Sequence, residues 1–210
     1  MVSLCFCFCP RPRGDILSCV FVFADRLHLS FLIHLYLSFH QSQKGQTNKF
    51  SLPPIDYSDK NRCVLNSSAM GQSNAARDKL YDLRQCALPN SKAAGFDLSG
   101  VIMTNTDVSG SNFKEAYFSK AYLHESNFAG ADFSNAIVDR ASFKGSSLKG
   151  TIFVNAVLTG TSFENANVED ADFTDAYIGD FDIRSLCRNP TLKGTNPTTG
   201  VDTRMSVGCK

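Results

Sequence analysis

Residues 131–140 read Ala131-Asp132-Phe133-Ser134-Asn135-Ala136-Ile137-Val138-Asp139-Arg140, two consecutive pentads of one pattern. An apolar residue stands at 133 and 138, and a small one stands two places before each. Outward from here the pattern holds over residues 96–185. The large series runs Leu98, Met103, Val108, Phe113, Phe118, Leu123, Phe128, Phe133, Val138, Phe143, Leu148, Phe153, Leu158, Phe163, Val168, Phe173, Ile178, Ile183. From Thr106 to Ala176 the position two before each large residue is always Ala, Ser or Thr.

A period of five fits neither regular element. Five steps on an α-helix turn the side chain by roughly 140°, so the large residues would point all round the axis. On a straight strand five is odd, and successive large residues would face opposite ways. The pattern buries its Phe residues only if the chain bends once per pentad, so that pentads close into coils and coils stack into a solenoid. The large and small registers then point inward. The remaining positions point outward and are mostly polar, as with Asn112, Lys114, Glu115, Lys144 and Glu164. The period alone leaves three or four pentads per coil open. With four, Phe113, Phe133, Phe153 and Phe173 fall on one interior ladder of offset rings.

Ala131-Asp132-Phe133-Ser134-Asn135 and Ala171-Asp172-Phe173-Thr174-Asp175 resemble the A(D/N)LXX unit of the pentapeptide-repeat family. The resemblance implies four pentads per coil in an all-β, right-handed quadrilateral β-helix with short helical or irregular caps. Ninety residues would then make roughly four and a half coils, a rod on the order of 20 Å long.

The expected organisation has four parts. Residues 1–50 carry apolar runs too short to span a bilayer, and fit either a targeting leader or a gene-model start that departs from one. Residues 51–95 form a linker and N-terminal cap, with a short helix over 72–83 capped by Ser73 or Asn74. Leu83 and Leu88 already keep the five-residue register, which allows an imperfect coil from about 81. The β-helix occupies 96–185, and a C-terminal cap 186–210, with a helical turn over 182–187 stopped by Asn189-Pro190. No stable membrane span is expected in the mature domain.

Charge is uneven. Residues 96–185 hold thirteen acids against six bases, whereas the rest holds fifteen bases against seven acids. An acidic rod excludes nucleic-acid binding through its own surface, because phosphates need cations. Glu164, Glu169, Asp170, Asp172, Asp175 and Asp180, with Asp182, crowd one coil and form a candidate interaction belt. Two roles compete for it: neutralising the basic C-terminal lid (Arg184, Arg188, Lys193, Arg204, Lys210), or docking a basic partner.

Cys5, Cys7, Cys9 and Cys19 lie in the leader-like segment and have no histidine cluster to make a metal site. Cys63 and Cys86 precede the repeat, and Cys187 and Cys209 follow it. Three pairings are possible. A solenoid separates the flanks by more than the ~7 Å reach of a disulfide, which leaves Cys63–Cys86 and Cys187–Cys209. Such staples imply an oxidising compartment. Gly71-Gln72-Ser73-Asn74 through Cys86, and Cys187-Arg188-Asn189 through Thr199-Gly200-Val201-Asp202-Thr203 to Cys209, resemble the end segments of plant thylakoid-lumen members of the family. That resemblance implies a chloroplast thylakoid-lumen location and no known chemistry.

No catalytic motif stands in the sequence, so no catalytic, cofactor or metal residues are expected. Gly145 and Gly150 are spaced like a phosphate loop, but Thr151-Ile152 follows where Lys-Ser/Thr is required. His124 beside Glu125 reads as a solvated surface residue. Three functions remain: a non-catalytic scaffold for an unknown protein, a protein whose disulfides are switched by a thiol–disulfide oxidoreductase, and, more remotely, an acidic DNA mimic.

Overall fold

The computed structural model describes residues 52–67 and 81–209. The leader-like segment and most of the helix expected over 72–83 lie outside these residues. The last three positions of that helix, 81–83, belong instead to the first coil.

The chain winds into a β-helical solenoid. Its rungs are held by parallel bridges between residues twenty apart, in four columns that begin at Asp82↔Ile102, Ala87↔Asp107, Lys92↔Asn112 and Asp97↔Tyr117 and end at Val157↔Tyr177. The coil therefore begins fourteen residues earlier than 96, because Leu83 and Ala93 take interior positions with no exposed surface. Each rung repeats the same bonds: Phe133 N–H donates to Ile152 O at 2.7 Å, and Ile152 N–H donates to Ala131 O at 3.0 Å.

Every pentad turns through a residue with positive φ, from Gln85 to Asp175. Glycine fills seven of these positions and Asn five, which is the choice a left-handed turn residue favours. Gly145 and Gly150 are two such turn residues. The Asp or Asn before the large residue closes the same turn. Asp132 Oδ1 accepts from Ser134 N–H at 2.9 Å, and Asn127 Oδ1 from Ala129 N–H at 3.1 Å.

The interior is built of ladders of large side chains, one for each side of the coil. Phe133 lies on Phe153 with centroids 5.2 Å apart and planes 18° apart, and Phe143 lies on Phe163 at 5.7 Å and 12°. Buried hydroxyls at the small positions are satisfied by carbonyls one coil back: Thr106 Oγ1 donates to Leu83 O and Thr151 Oγ1 to Phe128 O.

The eighteenth large residue departs from the series. Ile183 is only half-buried, because the chain leaves the coil at α1, Asp180–Leu186. At the last coil no further rung exists to accept or donate ladder bonds, and a helix satisfies its backbone internally. Asp180 and Asp182 in its first turn favour the helix N-terminus. After α1 the chain makes an antiparallel bridge, Thr195↔Asp202, and ends in α2, Thr203–Ser206.

Candidate functional site

The end of the rod carries the candidate site, and each expected belt residue has a definite place. Glu164 Oε1 receives Lys144 Nζ at 2.9 Å, and Glu169 Oε2 receives Lys149 Nζ at 3.1 Å. Both lysines stand one coil back, twenty residues earlier. Asp170 Oδ2 is 3.7 Å from the same Lys149. The hydrogen bond and charge of Glu169, helped by Asp170, hold the Lys149 ammonium above its ordinary pKa. Among the described residues, no ion pair joins these acids to Arg184, Arg188, Lys193 or Arg204.

Asp172 does not lie on an open belt. It is 1% exposed, and its Oδ1 accepts from Thr174 N–H and Oγ1, so it shapes a turn. Asp182 is also engaged, its Oδ2 accepting from Gly160 N–H at 2.9 Å. Asp175 and Asp180 are exposed and form no ion pair among the described residues.

The C-terminal segment completes part of the last rung with side chains and one backbone carbonyl. Thr191 Oγ1 accepts from Val168 N–H, Lys193 O accepts from Asp170 N–H, and Ser206 Oγ accepts from Phe173 N–H. Asn189 Nδ2 donates to Ala166 O, and Asn196 Nδ2 to Asp170 O. Between these contacts and the Gly160–Asp182 bond lies a cleft of about 210 Å3, floored by residues 160–164 and walled by α1. Phe181 stands exposed at its mouth.

One disulfide ties the N-terminal segment to Cys86 of the first coil, and the other joins two residues beyond the last coil. Cys63 is bonded to Cys86 with Cα atoms 5.5 Å apart, and Cys187 to Cys209 with Cα atoms 5.7 Å apart. Cys63–Cys86 is reinforced by a polar clasp. Arg84 Nη2 donates to Asp82 Oδ2 at 2.6 Å and to Pro53 O at 2.7 Å, and the Tyr57 hydroxyl donates to Gln85 Oε1. Burial alone pushes the Asp82 carboxyl up, but the hydrogen bonds and charge of Arg84 outweigh it and hold it below the usual carboxylate range.

His124 is half-buried, with Nε2 2.9 Å from Ser142 Oγ and its ring edge-on to Tyr122. It is thus a rung-to-rung contact. Among the described residues no group of three metal-ligating side chains occurs, and no helix is long and apolar enough to cross a membrane.

The family model "Pentapeptide repeats" matches residues 82–119, 102–139 and 139–175, the span that forms the coils. A pentapeptide repeat protein from the Arabidopsis thaliana thylakoid lumen is 30% identical to this chain, with 60% of this chain and 90% of that structure covered and a TM-score of 0.40. The chain belongs to the pentapeptide-repeat family. A thylakoid lumenal protein of Arabidopsis thaliana, TL20.3, is 54% identical over 44 residues, which are 21% of this chain and only 15% of that relative's length. The pentapeptide repeat protein Rfr23 from the cyanobacterium Cyanothece 51142 is 18% identical over 47% of this chain and 84% of its own, with a TM-score of 0.36.

Proposed function

We propose that the chain is a non-catalytic scaffold of the chloroplast thylakoid lumen whose acidic C-terminal end docks a basic protein. One observation carries this reading. The acids of the last coil take their ion-pair partners from Lys144 and Lys149 beneath them and none from the C-terminal segment, so Asp175 and Asp180 keep exposed, unpaired charge at the rod's end. Such charge speeds encounter with a basic surface more than it tightens the final complex. The polar side chains of the coils are spent on turns and rungs, which supports a scaffold over an enzyme. The thylakoid-lumen location of two relatives supports the compartment. The reading takes the solenoid as right-handed and quadrilateral, with residues 52–67 and 187–209 as its caps. The bridge columns at twenty-residue spacing support its four sides.

The test is capture of partners from isolated lumen at low salt. The double change Asp175→Asn and Asp180→Asn should weaken capture of a basic partner several-fold and leave the melting temperature nearly unchanged. Asn tolerates the positive φ at 175. Unchanged capture contradicts the reading.

A second reading has its own observation: Cys63–Cys86 ties the N-terminal segment to the first coil and Cys187–Cys209 closes the C-terminal segment on itself, so reduction would loosen caps before rungs. A thiol–disulfide oxidoreductase would then be the partner. Each bridge closes a loop of just over twenty residues, worth about 3 kcal/mol in the chain-entropy model. Hydrogen exchange after reduction should show residues 187–209 opening while rungs such as Phe133 stay closed. Simultaneous opening of both would leave the bonds purely structural.

A further inference from the structure

By its five-residue register, the stretch 181–185 belongs directly above 161–165, with Ile183 over Phe163. The chain turns into α1 instead, and that rung is vacant. The missing bonds can be read from the rung below. There Phe143 N–H donates to Ser162 O at 2.8 Å, Gly145 N–H to Glu164 O at 2.9 Å, and Ser162 N–H to Ala141 O at 3.0 Å. One coil higher, the corresponding groups are Phe163 N–H, Asn165 N–H and Thr161 O. Among the described residues none of the three has a hydrogen-bond partner. Elsewhere on this edge the C-terminal segment supplies substitutes, at Gly160, Val168, Asp170 and Phe173. The unsatisfied stretch coincides with the cleft, with Phe163 and Thr161 on its floor and Leu186 and Ser185 on its wall.

We propose that this vacant rung is a docking slot for an extended segment of a partner protein, which adds the missing strand to the last coil. A strand edge with unpaired backbone groups is a template for such addition. The chemistry of the segment follows from the register. Its inward residue is apolar, to lie against Phe163 as Phe163 lies on Phe143. The residue two before it is small, as at every pentad from 106 to 176. The residue after the apolar one is Lys or Arg, because it stands twenty-residue style over Glu164, the relation that already pairs Lys144 with Glu164 from below. Asp182 beside the slot adds to the same preference. This inference rests on the acidic-end reading above and gives it a site.

The test uses the intact, disulfide-bonded chain and a fluorescent capped heptapeptide, Lys-Ala-Lys-Leu-Lys-Gly-Lys, at low salt. Saturable binding should slow hydrogen exchange at Phe163 and Asn165. By the rung geometry, the Lys before Leu donates to Thr161 O, while the Leu N–H points away. N-methylation of that Lys should weaken binding roughly 5–10-fold, the worth of one hydrogen bond, and N-methylation of Leu should not. Equal effects of the two methyl groups, or binding that leaves Phe163 exchange unchanged, would overturn the slot. So would protection of Phe163 that appears without peptide and is lost on dilution, because the occupant would then be a second copy. Ser185→Trp fills the slot and keeps every acid, whereas Asp175→Asn with Asp180→Asn removes charge and leaves the slot open. Loss of peptide binding in the first alone supports the slot even if the acidic-end reading fails. Loss in neither overturns it.

Discussion

The ring of Phe153 lies on that of Phe173, twenty residues later, with centroids 5.2 Å apart and planes 13° apart. The same relation joins Phe133 to Phe153, so the Phe153 ring has a ring on both sides. Truncation in mid-column removes contacts on both sides and leaves a cavity the rungs cannot close. Phe153→Ala should therefore cost about 3–5 kcal/mol in denaturant unfolding. Ala136→Leu, at a fully buried small position, should cost about 1–3 kcal/mol by overpacking. Lys144→Ala, on the outside, should cost under about 1 kcal/mol. Similar losses at all three would contradict the inward and outward assignment.

Lys120 turns its pentad with φ 57°, a conformation that costs a side-chain-bearing residue roughly 1–2 kcal/mol. Its side chain is exposed, and it forms no ion pair among the described residues. Lys120→Asn should keep the turn and raise stability by a few tenths to about 1 kcal/mol. Lys120→Val, β-branched at the same φ, should lower it by more than Asn raises it. Thermal unfolding of the three proteins settles the order.

The clasp at the N-terminal end should make stability fall in acid. The Asp82 carboxyl is held below its unfolded value, so its contribution is fully present above about pH 4, the unfolded Asp pKa. It is lost as pH falls through the lower folded value. Asp139 acts in the same direction. Burial pushes it up, but the hydroxyl of Ser119 and the charge and hydrogen bond of Arg140 hold it below the usual range. Asp82→Asn should cost about 1.5–3 kcal/mol at pH 7, the worth of a charged hydrogen bond. It should also flatten the acid limb of the stability curve. A parallel downward shift at every pH would contradict the linkage.

The sequence carried the interior of this protein almost completely, and its ends poorly. Phe113 to Phe173 announce a coil because burial allows no other use of a five-residue period. The run of Gly and Asn from Gly95 to Asn165 equally announces left-handed turns, a signal of the same period that sequence reasoning passed over. Lys144–Glu164 and Lys149–Glu169 were also readable once twenty residues made a coil. Without that spacing the acids look like a belt, and Asp172 looks no different from Asp175, although one is buried in a turn and the other is exposed. Ile183 misled for a physical reason. Its register suits a coil, but the choice between rung and helix is made by whether another rung exists to bond to, and periodicity does not report that. The vacant stretch above Thr161, Phe163 and Asn165 was invisible for the same cause.

Residue-resolved hydrogen exchange on the free, oxidised protein compares the last rung with the one below it through Phe143 and Phe163. The two occupy the same pentad position on the same side of the coil, one rung apart, and both are buried. Phe143 N–H donates to Ser162 O, whereas Phe163 N–H meets no acceptor among the described residues. Phe143 should exchange with the slow core and Phe163 orders of magnitude faster, with Asn165 alongside it. Equal slow exchange at Phe143 and Phe163 would mean that the last rung is closed, and would contradict both the early exit of the chain into α1 and the open edge built upon it.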